Sequence, residues 1–370
     1  MNPALSIAHA PTLLAATLDR RALAQALSRL KSIVATRSAV PALEAVLLSG
    51  TDDALLLTAT DASVVVRAAV PANVTSSWAT LLVPLRRLLE VTRGPSAPLE
   101  LLGDQIATGG ATHRLATLPT ASFPVVLPPS GPVLFTLMRP TLARLLRQTA
   151  TAMSHDDTRP HLASMLIERR RGELVFVATD GHRLAKAIVA DEGDDFSALV
   201  GRRTIEAVER MVAVNGGLIR LRRDGDRLWF VSGDEWVSGP VVDAVFPSYE
   251  QVIPAASAGH VTLDRAELQA AVRTLAARGD GGVSIKLDRE ARTATLTSRN
   301  DAENLTEMTL AATLDGAPPT GLGLNGRYLR ELVAALSDDD RRVTLGLNGE
   351  LDPICLHAHG ATFVVMPMRI

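Results

Sequence analysis

Three times along this chain of 370 residues the same short pattern returns, and a chain built on one repeated unit folds as a set of similar modules. Thr-Leu, an Arg two positions on and then apolar residues at helical spacing occur in TLDRRALAQALSRL from Thr17, TLMRPTLARLLRQT from Thr136 and TLDRAELQAAVRTL from Thr262, at offsets of 119 and 126. Leu23, Leu27 and Leu30, then Leu142, Leu145 and Leu146, then Leu268, Val272 and Leu275 give each predicted helix one buried face. A second helical pattern, VPLRRLLEVTR, VGRRTIEAVERM and LNGRYLRELVAAL, aligns Arg86, Arg203 and Arg327 at offsets of 117 and 124. Runs of strand ending in a turn, LLLTATDAS, LVFVATDGH and ATLTSRNDA, place Asp61, Asp180 and Asn300 at offsets of 119 and 120. Three features with one spacing set a period of about 120 residues.

Between the helices lie short strands bounded by turn residues, such as LEAVLLSG, SVVVRAAV, GLIRLRRDGDRLWFVSG and VTLGLNG. Each repeat is therefore expected to be an α+β unit of two helices and roughly eight strands. The Pro-rich run near 119–132 and the PAASAGH stretch near 254–260 separate the units. The expected domains are 1–125, with an extension at 1–11, then 126–255 and 256–370.

Hydrophobic residues at 47% and charged residues at 21% exclude wholesale disorder. With only 3 Trp, 2 Tyr and 7 Phe, the core must be aliphatic, and aromatic platforms for single-stranded nucleic acid are not expected. Cys355 is the sole cysteine, which excludes an internal disulfide and a cysteine-rich zinc site. The uncharged run Leu115 to Met138 is broken by Pro119, Pro124, Pro128, Pro129 and Pro132 and reads as a linker, not a membrane span. The amino end carries no Lys or Arg before its apolar stretch and holds Pro3, His9 and Pro11, so it does not read as a signal peptide. A soluble, cytoplasmic protein with no membrane partner is expected.

The net charge of -2 advertises no nucleic-acid partner, but its distribution does. The six predicted helical segments together carry +11 and the rest of the chain -13. Arginine is a good helix former and charged helix faces are common for their own sake. A basic face repeated in every unit, however, suits a shared surface for a phosphate backbone, blind to base sequence. Its candidate contacts are Arg20, Arg29, Lys31, Arg86, Arg139, Arg147, Arg203, Arg210, Arg273 and Arg327.

Three stretches, ATDGHRLA (178 to 185), FPSYEQVIP (246 to 254) and the terminal VVMPMRI (364 to 370), in a chain of three equal repeats, resemble the bacterial DNA sliding clamps, the β subunits of DNA polymerase III. The likeness extends over nearly the whole chain from about Thr12. It implies a ring-shaped head-to-tail homodimer of six clamp domains, with helices lining the hole and sheets outside. Its function would be a processivity factor on duplex DNA, with no catalysis and no cofactor. The alternative is an accessory or degenerate paralogue serving as a peptide-binding scaffold. Arg37 matches a DNA-proximal arginine of the family. The resemblance further implies an apolar cleft that takes short peptide motifs from the polymerase α subunit, clamp-loader subunits and repair polymerases. The matching residues are Leu162, Thr179, Gly181, His182, Arg183, Leu184, Pro247, Val252, Val364, Met366, Pro367 and Met368. Methionine suits a pocket that must adapt to several ligands. Pro160 and His161 stand where the family commonly has two aromatic residues, and Gln251 where a basic one is frequent. Asp301, Glu303 and Glu307 are what remains of an acidic segment at the family's subunit interface.

Other chemistry is weaker. GLGLNG (321 to 326) satisfies a dinucleotide-binding pattern but follows Pro318 and Pro319 and lies outside any βαβ unit. No Walker A sequence is present. His357 and His359 could share a metal, Asp338, Asp339 and Asp340 could suggest a nuclease, and Asp180 could orient His182, but none comes with a complete motif. No active site and no metal site are expected.

Overall fold

The computed structural model describes residues 13–76, 79–94, 97–213, 216–276, 281–299, 305–337 and 339–369. The extension at 1–11 and Asn300, Asp301, Glu303 and Asp338 lie outside the described residues. Six α-helices and 24 strands are described, in three successive sets of two helices and eight strands.

The repeated patterns turn out to be junctions, not helices alone. The Thr-Leu pair closes the strands Ala15–Asp19, Val133–Met138 and Gly259–Asp264, and helices α1 (Arg20–Leu30), α3 (Arg139–Thr149) and α5 (Arg265–Ala276) begin at the following arginine. The Asp19 carboxylate accepts the Ala22 N–H at 2.9 Å and that of Asp264 accepts the Glu267 N–H at 3.0 Å, so both cap orphan donors. Met138 cannot do this in the middle copy, where Pro140 instead removes one first-turn donor. In the second pattern α2 (Leu85–Val91), α4 (Arg202–Val212) and α6 (Gly326–Ala335) also start directly after a strand. The leading residues of each predicted helix are thus strand, because a β-branched or apolar pair pointing to alternate faces extends the sheet until the cap.

At 11 residues α1 and α3 are below the roughly 12–15 residues at which isolated helices persist in water. Packing holds them. Leu23, Leu27 and Leu30 are at most 2% exposed, and Leu142, Leu145 and Leu146 are fully buried. At about 1.5–3 kcal/mol per buried leucine, these faces outweigh the weak helix propensity.

The chain forms two compact units, Met1–Pro140 with Glu206–Pro240 and Thr141–Ile205 with Val241–Ile370. The middle repeat is divided between them because its sheets merge with its neighbours'. In the first unit Val65–Ser76 pairs antiparallel with Glu235–Pro240, Arg67 opposite Trp236. In the second, Arg183–Ala190 pairs with Ala361–Val365, Lys186 opposite Thr362. In both cases the fourth strand of one repeat meets the eighth strand of the next.

The Pro-rich run is more than a linker. Leu118 donates its N–H to the Leu82 carbonyl at 2.9 Å, and Phe123 buries beside Ala42, Ala45 and Leu82. No helix among the described residues is long and apolar enough to cross a membrane.

Candidate functional site

A cleft of about 330 Å³ opens in the second unit. Its floor is sheet: Leu184 and Val364 face each other across the pairing of Arg183–Ala190 with Ala361–Val365, over a core that includes Leu166, Val177 and Cys355. Burial pushes the Cys355 thiol above its ordinary value. One rim is the turn after Thr179. There the Asp180 carboxylate accepts the N–H groups of His182 (2.9 Å) and Arg183 (3.0 Å), while the Thr179 hydroxyl donates to the Arg183 carbonyl. Gly181 sits at φ +93°, the left-handed region that favours glycine. The first repeat builds the same turn from Thr60 and Asp61, with Ala62 at φ +79°. The repeated Thr-Asp is therefore hairpin chemistry, and Asp180 binds the backbone of His182 instead of orienting its ring.

Arg183 lines the cleft yet is only 7% exposed. Its guanidinium meets Asp180 at 3.0 Å, the Glu331 carboxylate and the Thr151 carbonyl, and stacks 4.4 Å from the Tyr328 ring centre. Burial alone would raise the Glu331 carboxyl, but Arg327 and Arg183 outweigh it and hold it below the usual carboxylate range. The opposite wall carries Pro247, Ser248, Tyr249 and Val252. Met366, 41% exposed, donates its N–H to the His182 carbonyl and brings the tail to the rim.

Ten of the twelve expected cleft residues line this hollow. Pro367 does not, and Met368 lines a separate hollow with Leu351 and Gly323, whose carbonyl accepts the Met368 N–H. His161, Ser248 and Tyr249 also line the cleft. Two of them lie inside the FPSYEQVIP stretch, where their neighbours Pro247 and Val252 were a sufficient signal.

Two of the expected DNA contacts are structural. Arg20 and Arg139 are each 6% exposed, and both tie the first helix of their repeat to the end of the second. Arg20 donates to the Arg93 carbonyl (3.0 Å) and to Thr108; Arg139 donates to the Met211 carbonyl (3.2 Å), to Ser232 (3.0 Å) and to Glu235 (2.7 Å). A guanidinium there satisfies carbonyls left over at a helix C-terminus, which accounts for the arginine in the first two copies. Arg29 is held by Glu235 at 2.6 Å. Arg210 is half-buried and donates to the Glu206 carbonyl, and Arg327, also half-buried, pairs with Glu331 at 2.9 Å. Lys31, Arg37, Arg86, Arg147, Arg203 and Arg273 are exposed.

The remaining candidates do not converge. His357 contacts Thr362 (3.0 Å) and the Cys355 sulfur (3.4 Å), whereas His359 meets Asp340. Among the described residues no group of three potential ligands could hold a metal. Gly321–Asn325 is a strand followed by α6, as a dinucleotide motif requires, but its partner Gly282–Asp288 is antiparallel, so there is no βαβ unit.

The family models for the DNA polymerase III β subunit match at residues 14–127 (N-terminal domain) and 136–248 (central domain). The β sliding clamp of Caulobacter vibrioides is 30% identical over 380 residues, covering 96% of this chain and 99% of that one. The chain belongs to this family. The Pseudomonas putida β sliding clamp is 27% identical over 367 residues, with 96% and 99% coverage. The crystal structure of the Pseudomonas aeruginosa DnaN sliding clamp bound to griselimycin superposes with a TM-score of 0.83 at 26% identity, covering 97% of this chain and 100% of that one. As a β sliding clamp, the protein is a non-catalytic processivity subunit of DNA polymerase III acting in DNA replication.

Proposed function

We propose that two copies of this chain close head to tail into a ring around duplex DNA, and that the cleft beside Leu184 and Val364 holds short peptide motifs of the polymerase and its companions. The observation that carries the ring is the strand rule. Fourth strand meets eighth strand at both internal junctions, and one such pair of edges is left over. Ala111–Arg114 pairs only with Gln105–Thr108, and the Leu305–Leu310 stretch of the strand Leu305–Gly316 pairs on one side only, among the described residues. Transferring the register of Arg67 opposite Trp236 and Lys186 opposite Thr362 puts Glu307 of one copy opposite Thr112 of the next, and Leu305 opposite Arg114. Leu305 is 58% exposed in the single chain, which supports a covering partner.

The domain boundaries 1–125, 126–255 and 256–370 are part of this reading. So is the assignment of Lys31, Arg37, Arg86, Arg147, Arg203 and Arg273 as the cations that meet phosphate. Topological linkage makes tight binding unnecessary, so weak, salt-screened contacts suffice and leave the ring free to slide. A replication ring of this kind works in the cytoplasm. The cleft assignment gains support from the relatives of Pseudomonas aeruginosa and Bartonella birtlesii, whose structures hold griselimycin.

Sedimentation tests the ring. The wild-type chain is expected to run as a dimer at micromolar concentration and to stay on nicked circular DNA after loading. Glu307→Pro, which removes an N–H from the open edge while leaving the bonds to Thr293–Arg299 in place, is expected to give monomers that are not retained. A monomeric wild type, or an unaltered Glu307→Pro dimer, refutes the proposed closure.

A further inference from the structure

We propose that Glu168, which does not line the cleft, is the positioning residue that sets where the cleft's outer wall stands and so how tightly a ligand is held. This rests on the reading of the cleft as a binding site.

Between Asp243 and Pro254 every described main-chain hydrogen bond stays local, so no strand pairing fixes this wall. Side chains must do it. Tyr249 starts the single short turn Tyr249–Val252, and its ring is buried in the core beneath Leu184 and Val364. Its hydroxyl donates to the Glu168 carboxylate at 2.9 Å. Glu168 is 7% exposed and lies on the strand Ser164–Arg170, two residues from Leu166 of the cleft floor. Arg170 of the same strand reaches Glu250 at 3.0 Å and passes 3.6 Å from Glu168. Lys186 lies 5.6 Å over the Tyr249 ring. Phe246 and Ile253 pack the wall against the floor without fixing its direction, and the directional ties are one buried hydrogen bond to a carboxylate and one exposed ion pair.

The two are unequal. Arg170 and Glu250 are both about half exposed, and such pairs contribute little. The buried bond to a charged acceptor is strong, and its loss leaves the carboxylate only the longer contact with the half-exposed Arg170. Burial, then Glu168, raise the Tyr249 hydroxyl above its ordinary value, so it remains a donor across the physiological range. Tyr249 cannot shift without breaking this bond, and Pro247, Ser248 and Val252 move with it.

The experiment is a titration of the full-length protein with griselimycin, using variants that separate the bond from the fold. Tyr249→Phe and Glu168→Ala are each expected to weaken binding by about tenfold, one hydrogen bond's worth. Glu168→Gln, which keeps an acceptor oxygen, should stay within about twofold of wild type. The double variant Tyr249→Phe with Glu168→Ala should be no weaker than either single change, since both remove one interaction. Thr262→Val, which breaks a distant Thr262–Thr344 contact in the same unit, controls for general loosening and should leave binding unchanged. Normal binding by Tyr249→Phe and Glu168→Ala, additive losses, failure of Glu168→Gln to rescue, or an equal loss in Thr262→Val overturns the inference. A wild type that does not bind griselimycin, or is indifferent to Met366→Ala, overturns the cleft reading itself.

Discussion

Replacing Arg139 by Ala separates the structural arginines from those proposed to meet DNA. Its side chain is 7% exposed and holds three partners: the Met211 carbonyl, the Ser232 hydroxyl and the Glu235 carboxylate at 2.7 Å. Breaking a buried ion pair by removing one member costs about 3–5 kcal/mol. Glu235 keeps Arg29 at 2.6 Å and is not left wholly unpaired, so the lower end applies. For a cooperative unit of this size, about 3 kcal/mol corresponds to a fall of roughly 6–12 °C in melting temperature. Circular dichroism on heating reads this directly. Arg147→Ala, on the exposed face of the same helix, should melt like wild type. In fluorescence anisotropy on a linear duplex it should instead reduce the slope of log K against log salt by about 0.9, one phosphate contact. If Arg139→Ala melted normally and lost the salt slope while Arg147→Ala did the reverse, the division of roles would be refuted.

Two further outcomes follow from titratable groups packed around the cleft. Glu331 has its carboxyl held below the ordinary value of 4.5, so its pairing stabilises the fold above that value, and the contribution is lost as pH falls through the depressed folded value. Melting curves between pH 7 and 3 should show a steeper acid loss for wild type than for Glu331→Gln. Cys355, 3% exposed with its thiol raised by burial, should react with iodoacetamide at pH 8 at least about tenfold more slowly than a free thiol, and full-rate labelling of folded protein would contradict that environment.

Much of this architecture was legible because hydrophobic spacing carries it. The faces Leu23–Leu27–Leu30 and Leu142–Leu145–Leu146 pack as their periodicity requires. The role of the repeated arginine was not, since recurrence marks a residue needed in every module without saying whether module or ligand needs it. Arg20 and Arg139 serve the module: each reaches a carbonyl some 70 residues away, a partner no local pattern encodes. The cleft was legible through its short motifs. Tyr249 lies within one, but no local pattern marks it, because its partner Glu168 is 81 residues distant and only tertiary structure creates the hydrogen bond between them.

The strand Ala111–Arg114 has every residue exposed, follows a Gly109–Gly110 turn and carries neither proline nor a bulge. Only its shortness and the charge of Arg114 blunt the bare amides and carbonyls of that border. A newly made chain therefore carries an open border until it meets a sibling, and crowding many such chains together before they pair should favour misjoined aggregates. The feature that would let one subunit latch onto another also makes the orphan hazardous.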